Sequence, residues 1–336
     1  MMTLEQLRIF VAVATREHVT QAARDLNLTQ SATSAAVAAL ESHYQTRLFD
    51  RVGRRIVLTA TGRAFLGEAR SILARVAAAE AVLDDFAGLK RGSLKLAASQ
   101  TIGNYWLPVL VHRFNALHPV IRLSLEIGNT EQVAAQVRDG VADLGFVEGD
   151  VDDAALALQP VADDELVLVG VAGHRLCNGE PVPAVELKTA RWVLREPGSG
   201  TRAMFEAALD GLGLRLSDLD VALELPSNEA VRSAVEAGAG VTVVSRLVVG
   251  GALKAGTLAV AGITLPRRHF FSLRHKEHHL TQAAGEFLRI VGEAARADAP
   301  SPAPTMAEGR DMAGSSMPAT KAEAATPTVV ITRENG

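Results

Sequence analysis

Apolar residues recur at helical spacing through the first 58 residues, interrupted by two polar turns. A capping box over 3–6 opens a first helix. Thr20 is placed to cap a second helix over 21–26, and Thr29 a third helix over 30–44. Because only three residues separate these last two helices, the pattern predicts a helix-turn-helix.

The third predicted helix has one apolar face and one polar face. Its inward face should consist of Val37, Leu40 and Tyr44. Its outward face should consist of Gln30, Ser31, Ser34 and Ala38. The small polar side chains of the outward face would then be free to contact a partner outside the domain.

A short hairpin is predicted directly after the third helix. Gly53 allows a turn, and the apolar run 56–58 has strand character. The hairpin would carry Arg51, Arg54 and Arg55, which could lie beside a DNA duplex as a wing. The alternative is a solvated basic turn, which the position directly after a helix-turn-helix disfavours.

A long helix is predicted from residue 59 to about residue 89. Apolar residues step along it by four and three in alternation, at Phe65, Ala69, Ile72, Val76, Ala79, Leu83 and Phe86. This heptad spacing favours a seam between two helices, so we expect 59–89 to be a dimerisation linker and the chain to form a homodimer or a dimer of dimers. The alternative is one amphipathic helix packed on its own domain.

Strand and helix patterns alternate over 90–296. The strand candidates are 93–98, 121–127, 144–147, 166–171, 192–194, 221–225, 241–244 and 270–273. The helix candidates between them are 105–117, 131–138, 202–212, 229–237 and 281–295. This alternation predicts an α/β fold with parallel sheets covered on both faces. A break near residue 162 suggests two lobes with a cleft between them: lobe I over about 92–161 plus 267–296, and lobe II over about 162–266.

Composition bears on the compartment of the protein. The single cysteine, Cys177, excludes an internal disulfide framework and fits a reducing compartment. The N-terminus lacks the pattern of a signal peptide, and the apolar runs are too short for a membrane span, so we expect a cytoplasmic protein that engages no membrane. The segment 297–336 is dominated by Ala, Pro, Thr, Ser and Gly, and we expect it to be a disordered tail.

Charge is distributed unevenly along the chain. The net charge is −4, but residues 1–65 hold eight arginines against five acidic residues, which gives +3 and leaves −7 for the remainder. A basic N-terminal segment followed by an acidic remainder is the charge asymmetry that suggests a nucleic-acid-binding module.

This order of parts resembles the LysR-type transcriptional regulators over about residues 2–296. The resemblance is carried by LEQLRIFVAVA near the N-terminus, by the run from Thr20 to Ala32, by Leu40-Glu41 and by LFDRVGRRIVLTATG. It implies a winged helix-turn-helix, a long linker helix and a two-lobed α/β effector domain like that of periplasmic binding proteins. It also implies a regulator of promoters that binds double-stranded DNA as a homodimer or dimer of dimers, with RNA polymerase as a candidate partner.

The resemblance places the DNA contacts on the second and third helices and on the wing. The predicted DNA-binding residues are Thr20, Gln21, Thr29, Gln30, Ser31, Ser34, Arg51, Arg54 and Arg55. Where the family often has a basic residue after the serine at 34, this chain has Ala35-Ala36. Base contacts should therefore fall on Gln30 and the two serines, and phosphate contacts on the arginines of the wing.

Three hydroxyl-rich turns lie where a strand would lead into a helix, around 98–105, 128–130 and 195–202. Hydroxyls and free backbone N–H groups at helix N-termini favour anions, and the carboxyl ends of strands are the usual ligand edge of α/β lobes. Plain helix capping is the alternative for each single turn.

The resemblance is strongest to a branch that includes regulators of sulfur metabolism, and it implies that these turns form a pocket for a small anion between the lobes. The effector-binding residues carried over in this way are Ser99, Thr101, Asn129, Ser199, Thr201 and Arg202. Glu148, Asn228 and Glu229 are expected at the border of the same cleft.

Enzymatic functions find little support in the sequence. Gly198-x-Gly200-x-x-Ala203 matches a dinucleotide-binding fingerprint, with Glu224 as the ribose-binding acid, but the first strand–helix turn of the module lacks it. The histidines at 275, 278 and 279 have no second group at metal-ligand spacing. We expect no catalysis, no metal and no cofactor other than a small effector, for which oxyanions are the candidate class.

Two binding functions remain as alternatives. A cytoplasmic two-lobed ligand-binding protein without sequence-specific DNA binding would leave residues 1–60 unexplained. A nucleoid-type DNA binder without an effector would leave the hydroxyl-rich turns of the cleft without a role.

Overall fold

The computed structural model describes residues 1–52, 55–85, 92–149 and 151–298. Its N-terminal part contains α1 (Leu4–Arg16), α2 (Val19–Asp25), α3 (Gln30–Tyr44), β1 (Phe49–Val52), β2 (Arg55–Leu58) and the long helix α4 (Ala60–Asp85). Strands β1 and β2 form an antiparallel hairpin in which Phe49 pairs with Leu58. The expected order of helix-turn-helix, wing and linker helix is present.

The start of each helix in this part follows from its capping residue. Thr3 and Gln6 form the predicted capping box of α1, and the hydroxyl of Thr29 accepts the backbone N–H of Ala32 at the start of α3. Thr20, in contrast, does not cap α2. That helix begins one residue earlier, at Val19, with His18 in the capping position and no side-chain cap.

The core of the N-terminal part joins α1 to α3, the wing and α4. Phe10 is fully buried, and it packs with Leu40 of α3, with Leu48 before the wing and with Ala69 of α4. Tyr44, predicted to face inward, is 52% exposed because it is the last residue of α3 and lies beyond this core. The inward face of α3 is completed by Thr33, whose buried hydroxyl donates to the carbonyl of Thr29.

The effector part begins with lobe I elements. These are β3 (Ser93–Ser99), α5 (Gln100–Tyr105), α6 (Leu107–Leu117), β4 (Arg122–Gly128), α7 (Thr130–Arg138), β5 (Leu144–Glu148), β6 (Leu156–Asp164) and, at the end, β12 (Arg268–His275) and α12 (Gln282–Asp298). The predicted helix over 105–117 corresponds to α6, which begins two residues later at Leu107, and the short helix α5 before it was not predicted. Helix α12 extends through 298, and the remainder of the predicted tail lies outside the described residues.

The intervening segment forms lobe II. Its elements are β7 (Leu166–Val171), α8 (Ala184–Leu187), β8 (Arg191–Arg195), α9 (Gly200–Gly211), the 3-10 helix η1 (Leu216–Asp218), β9 (Asp220–Leu225), α10 (Asn228–Glu236), β10 (Thr242–Ser245), α11 (Arg246–Ala255) and β11 (Leu258–Val260). The largely apolar run 241–253 conceals the change from β10 to α11, which occurs at Ser245 where the hydroxyl accepts the N–H of Leu247.

The sheets are mixed, which corrects the expectation of parallel sheets. Lobe I has five strands in the order β4-β3-β5-β12-β6; β3 is parallel to β4 and β5, whereas β12 runs antiparallel to β5 and β6. In lobe II the sheet β10-β7-β11 is antiparallel, whereas β8 and β9 pair in parallel. Strand β12 runs antiparallel to its neighbours because the chain returns from lobe II and enters the lobe I sheet between β5 and β6.

Each lobe has its own apolar core. Phe114, Phe146, Phe270 and Phe287 are fully buried in lobe I, and Trp192 stacks on Phe205 at 4.7 Å in lobe II. Among the described helices, none is both long enough and apolar enough to cross a membrane.

Candidate functional site

The outward face of α3 carries the predicted base-contacting residues. Gln30, Ser31 and Ser34 are all exposed, and Thr29 is exposed at the helix N-terminus. Gln21 is exposed on the preceding helix, whereas Thr20 is half-buried. The members of the set on α3 and at its N-terminus thus lie on the surface around its first turns, where backbone N–H groups also favour a phosphate.

The wing is fixed to α3 by a carboxylate. Glu41 on α3 accepts the backbone N–H of Leu48 at 2.7 Å and that of Phe49 at 3.1 Å, which holds the start of β1. Arg51 is exposed on β1. Arg55 begins β2 opposite Val52, and the predicted contact Arg54 lies outside the described residues, as does Gly53.

The predicted heptad positions divide into two groups. Phe65 and Ala69 pack into the core against α1 of the same chain, so these two do not form a seam with a partner. Further along α4, Ile72 is 37% exposed and Leu83 is 72% exposed. Val76 is half-buried and Ala79 exposed, and Phe86 lies outside the described residues. Only the second half of the heptad pattern is therefore free to meet another chain.

In the effector part, hydroxyls from both lobes converge on a buried carboxylate. Glu148 ends β5 and is 2% exposed. The hydroxyls of Ser99 and Thr101 donate to it from lobe I, the latter at 3.3 Å, and the hydroxyl of Thr201 donates from lobe II at 3.4 Å. Three of the predicted effector-binding residues thus meet, with a carboxylate of the same chain at the centre.

A buried arginine completes this group. The Arg268 side chain on β12 is fully buried; its Nη1 donates to the hydroxyl of Thr201 at 3.0 Å and lies 3.8 Å from Glu148. Its Nε donates to Asp164 at 2.6 Å. Its Nη2 is also 2.6 Å from Asp164 but has no aligned hydrogen-bond acceptor among the described residues. We call Ser99, Thr101, Glu148, Thr201 and Arg268 the hydroxyl–carboxylate cluster.

Further contacts between the lobes surround this cluster. The Nδ2 of Asn228 donates to the hydroxyl of Thr101 at 3.0 Å, and its backbone N–H donates to Gln100. The phenol of Tyr105 donates to Glu229 at 3.0 Å, and burial together with this carboxylate raises the pKa of Tyr105. Asn228 and Glu229, expected only at the border, thus hold lobe II against lobe I.

Two predicted effector-binding residues act as helix caps. The side chain of Asn129 caps α7 by accepting the N–H of Gln132 at 3.0 Å, and its Nδ2 donates to Glu196 of lobe II. The hydroxyl of Ser199 caps α9, accepting the N–H of Arg202 at 3.5 Å. The helix capping considered as the alternative is therefore present at both turns, and Asn129 in addition contacts lobe II.

Arg202 does not join the cluster. Its guanidinium is bound by Glu206 at 2.8 Å and by Glu224, and it also donates to the carbonyl of Arg195 at 2.9 Å. Burial lowers its pKa, but the hydrogen bonds to the two carboxylates outweigh burial and raise the pKa overall. Glu224, considered above as a ribose-binding acid, is likewise engaged by Arg202.

The two glycines of the dinucleotide-binding fingerprint are explained by packing and by backbone conformation. A Cβ at Gly200 would lie 2.3 Å from the carbonyl oxygen of Glu148, so α9 can approach the end of β5 only with glycine there. Gly198 has φ of +85°, the left-handed region that favours glycine. A groove of about 420 Å³ opens beside this contact, between α7 and α9.

Sequence reasoning missed Arg268 and Asp164. They face each other in the pairing of β12 with β6, and β6 itself was not predicted because its sequence contains Pro160 and polar residues. Each belongs to a doubled charge, Arg267-Arg268 and Asp163-Asp164, of which one member is exposed and one buried. The two pairs of adjacent like charges were visible in the sequence, but the sheet register is needed to identify which residue of each pair is buried.

The histidines near the C-terminal end lie against the linker helix. The rings of His275 and His278 stack at 3.9 Å, and Arg75 of α4 pairs with Glu277 at 3.1 Å. Throughout the described part of the chain, no group of three or more His, Cys, Asp or Glu side chains is arranged to hold a metal ion.

Comparisons with known families match both parts of the chain. The family described as "Bacterial regulatory helix-turn-helix protein, lysR family" matches residues 4–63, and the "LysR substrate binding domain" matches residues 87–296. The chain is 36% identical over 288 residues to the "Uncharacterized HTH-type transcriptional regulator YeiE" of Escherichia coli (strain K12), which covers 85% of this chain and 96% of that protein.

Solved structures show the same architecture. The regulatory domain of CcmR from Synechocystis PCC6803, in complex with 2-PG, is 26% identical with a TM-score of 0.57, covering 61% of this chain and 98% of that domain. CbnR, a LysR family transcriptional regulator, is 22% identical with a TM-score of 0.63, covering 88% of this chain and 99% of that one. The chain therefore belongs to the LysR family of helix-turn-helix transcriptional regulators, which bind promoter DNA and small effectors as dimers or tetramers.

Proposed function

We propose that this chain binds promoter DNA through α3 and the wing, and that a small oxyanion bound at the hydroxyl–carboxylate cluster modulates that binding. The observation that carries the proposal is the convergence of Ser99 and Thr101 from lobe I with Thr201 from lobe II. Hydroxyl donors together with the buried guanidinium of Arg268 are the groups that bind oxyanions.

The position of the cluster gives the ligand a way to act on DNA binding. Its members belong to both lobes, so a ligand there changes the contacts that hold the lobes together. A ligand shifts a conformational equilibrium when it binds the two conformations unequally. A change in the arrangement of the lobes can move α4, because Arg75 of that helix pairs with Glu277 of lobe I.

Other parts of the proposal rest on family membership and composition. The protein acts in the cytoplasm, without catalysis, as a dimer or dimer of dimers. The exposed apolar positions Ile72 and Leu83 support pairing through the second half of α4. The relative CcmR, solved with 2-PG, supports a small-molecule effector.

Fluorescence anisotropy with the DNA upstream of the protein's own gene, and with a scrambled control at two salt concentrations, tests the DNA-binding part. Preferential binding of the upstream DNA with a steep salt dependence is expected, because both base and phosphate contacts contribute. Equal affinity for both DNAs at both salts would contradict a sequence-specific regulator.

The ligand part is tested by Thr101→Val in the same assay, titrated with small oxyanions such as sulfate. A hydrogen bond to a charged group contributes about 1.5–3 kcal/mol, so the midpoint of the response should shift by about tenfold or more. The matched control is Thr257→Val, which removes an exposed hydroxyl that donates to Glu236 at 2.9 Å on the surface of lobe II. Identical midpoints for wild type and Thr101→Val would contradict the proposed site.

A further inference from the structure

We infer that the oxyanion binds at the cluster together with one proton, which it shares with the Glu148 carboxylate, so that the preferred ligand is the protonated form of the anion. The inference rests on the proposed oxyanion site. It names Glu148 as the residue that determines which form of the ligand is accepted.

The first argument is the charge of the buried groups. Two carboxylates, Glu148 and Asp164, face the single guanidinium of Arg268, and all three side chains are at most 2% exposed. The group therefore carries a net charge of −1 before any ligand arrives. Adding sulfate without a proton would change the net charge of this buried group from −1 to −3, which is strongly unfavourable, and one proton taken up with the ligand would limit it to −2.

The second argument is the hydrogen-bonding capacity of Glu148. An ionised carboxylate only accepts hydrogen bonds, and here it accepts the hydroxyls of Ser99, Thr101 and Thr201. A fully deprotonated oxyanion such as sulfate has no hydrogen to offer to the remaining lone pairs, so the two groups of oxygens repel each other. One shared proton converts this contact into an O–H···O hydrogen bond between the ligand and Glu148.

Among the described residues that hydrogen-bond around Glu148, none supplies this proton. Arg268 from β12 is charged and is held mainly by Asp164 at 2.6 Å. Helix α5 presents the hydroxyl of Thr101, and α7 presents that of Thr130, which donates to the backbone carbonyl of Glu148 at 3.3 Å.

Other described polar groups near the cluster are neutral or paired, whereas the carboxylates of Glu131 and Asp152 line the adjacent groove with Glu148 and add negative charge there. Helix α9 contributes Thr201, while its Arg202 is bound elsewhere by Glu206 and Glu224. Behind Thr101 lies Asn228, which accepts from Arg195 at 2.6 Å, and Arg195 pairs with Glu196 at 2.7 Å. The proton therefore arrives with the ligand or from solvent.

The test begins with the wild-type protein and two probes, sulfate and inorganic phosphate. Sulfate keeps its charge between pH 6 and 8.5, whereas phosphate gains a hydrogen in this range. Isothermal titration calorimetry in buffers of different ionisation enthalpy measures proton uptake directly. We expect sulfate binding to take up about one proton and to strengthen by about tenfold for each unit that the pH falls. Phosphate should bind with less proton uptake than sulfate, because it carries at least one hydrogen throughout this pH range.

The variant Glu148→Gln provides the second arm, because an amide of the same shape offers an N–H where the protonated carboxyl would offer an O–H. Sulfate binding by this variant should be independent of pH, and at pH 8 it should be tighter than in wild type. The control Glu126→Gln makes the same charge change at an exposed carboxylate on β4 that contacts Gln136, outside the cluster, and it should keep the wild-type pH dependence.

The outcomes separate the two levels of the proposal. Sulfate binding without proton uptake, or an unchanged pH dependence in Glu148→Gln, would overturn the shared proton while leaving the oxyanion site intact. Binding of neither anion by wild type or Glu148→Gln at any pH would overturn the oxyanion site and the inference with it. Because proton uptake is measured on wild type, the inference can fail even if the variant does not fold.

Discussion

The DNA-binding face and the effector cleft present their polar residues in opposite ways. Gln30, Ser31 and Ser34 on α3 are exposed, so their hydrogen-bonding groups are available to an external partner. Ser99, Thr101 and Thr201 are at most 2% exposed, and all three donate to Glu148. The polar groups of the DNA-binding face are exposed, whereas those of the cleft are hydrogen-bonded to one another.

This difference teaches what a ligand must do at each place. At α3, DNA replaces water, so the loss of a side chain there weakens DNA recognition and does not reduce the stability of the fold. In the cleft, a ligand must fit among groups that already satisfy one another, so the same side chains serve both stability and binding. Substitutions in the two regions should therefore affect different measurements, and the predictions below test that separation.

The largest effect is expected for Arg268→Met. The substitution leaves the carboxylates of Asp164 and Glu148 buried without their cation, and breaking a buried ion pair costs about 3–5 kcal/mol. Urea unfolding of the purified protein measures this as a lower free energy of unfolding. The neighbouring substitution Arg267→Met changes the same charge at an exposed position and should stay within about 0.5 kcal/mol of wild type. Equal stabilities of the two variants would show that the buried cluster contributes nothing to folding.

The opposite behaviour is expected for Gln30→Ala on α3. Its amide can bond to adenine in the major groove, so discrimination between specific and scrambled DNA should fall by about 1–3 kcal/mol. The free energy of unfolding should change by no more than about 0.5 kcal/mol, because the side chain is exposed.

Anisotropy titrations on both DNAs, alongside urea unfolding, measure the two quantities for Gln30→Ala. The control Ser42→Ala removes an exposed polar group near the other end of α3. A uniform loss of affinity for both DNAs would instead assign Gln30 to a phosphate contact.

The two regions also differ in how far sequence alone could predict them. The helix-turn-helix was predictable because its signals are local: the caps at Thr3 and Thr29 and apolar spacing within single helices determine it. The error at Thr20 shifted a helix start by one residue, since a helix can begin without a side-chain cap when its neighbours fix it by packing.

The centre of the cleft depends on pairings distant along the chain. Sequence predicted hydroxyl-bearing turns at the ends of strands, and Ser99, Thr101 and Thr201 lie there. The resemblance placed Glu148 only at the border of this cleft, and the sequence could not predict that the three hydroxyls meet there, because Glu148 is 47 residues or more from each of them. Arg268 reaches Asp164 over 104 residues only through the antiparallel pairing of β12 with β6.

The smallest expected effect concerns the contact that joins the two regions. His278 lies beside α4, where a Cβ at Gly140 would be 2.4 Å from the Cβ of Ala74 and 3.1 Å from the His278 ring. Burial lowers the pKa of His278, and the nearby charges of His275 and Arg75 lower it further. The folded protein therefore resists protonation of this ring more than the unfolded chain does.

The sign of the pH effect follows from this depressed pKa. Above the ordinary histidine pKa of about 6.5, both states hold a neutral ring and stability is unaffected. As the pH falls below it, the unfolded chain takes up a proton first, so the folded state loses stability. His278→Gln removes this component, and its melting temperature should fall less than that of wild type between pH 7.5 and 5.5.

The difference should be about 1–3 °C, because a partly exposed group is screened by solvent and contributes less than about 1 kcal/mol. His112→Gln, at an exposed position on α6, is the control and should follow wild type. If His278→Gln also follows wild type, protonation of this ring does not affect the packing of α4 on lobe I. If the predicted difference appears and DNA affinity changes with it over the same pH range, the contact at α4 links the state of the effector part to the DNA-binding face.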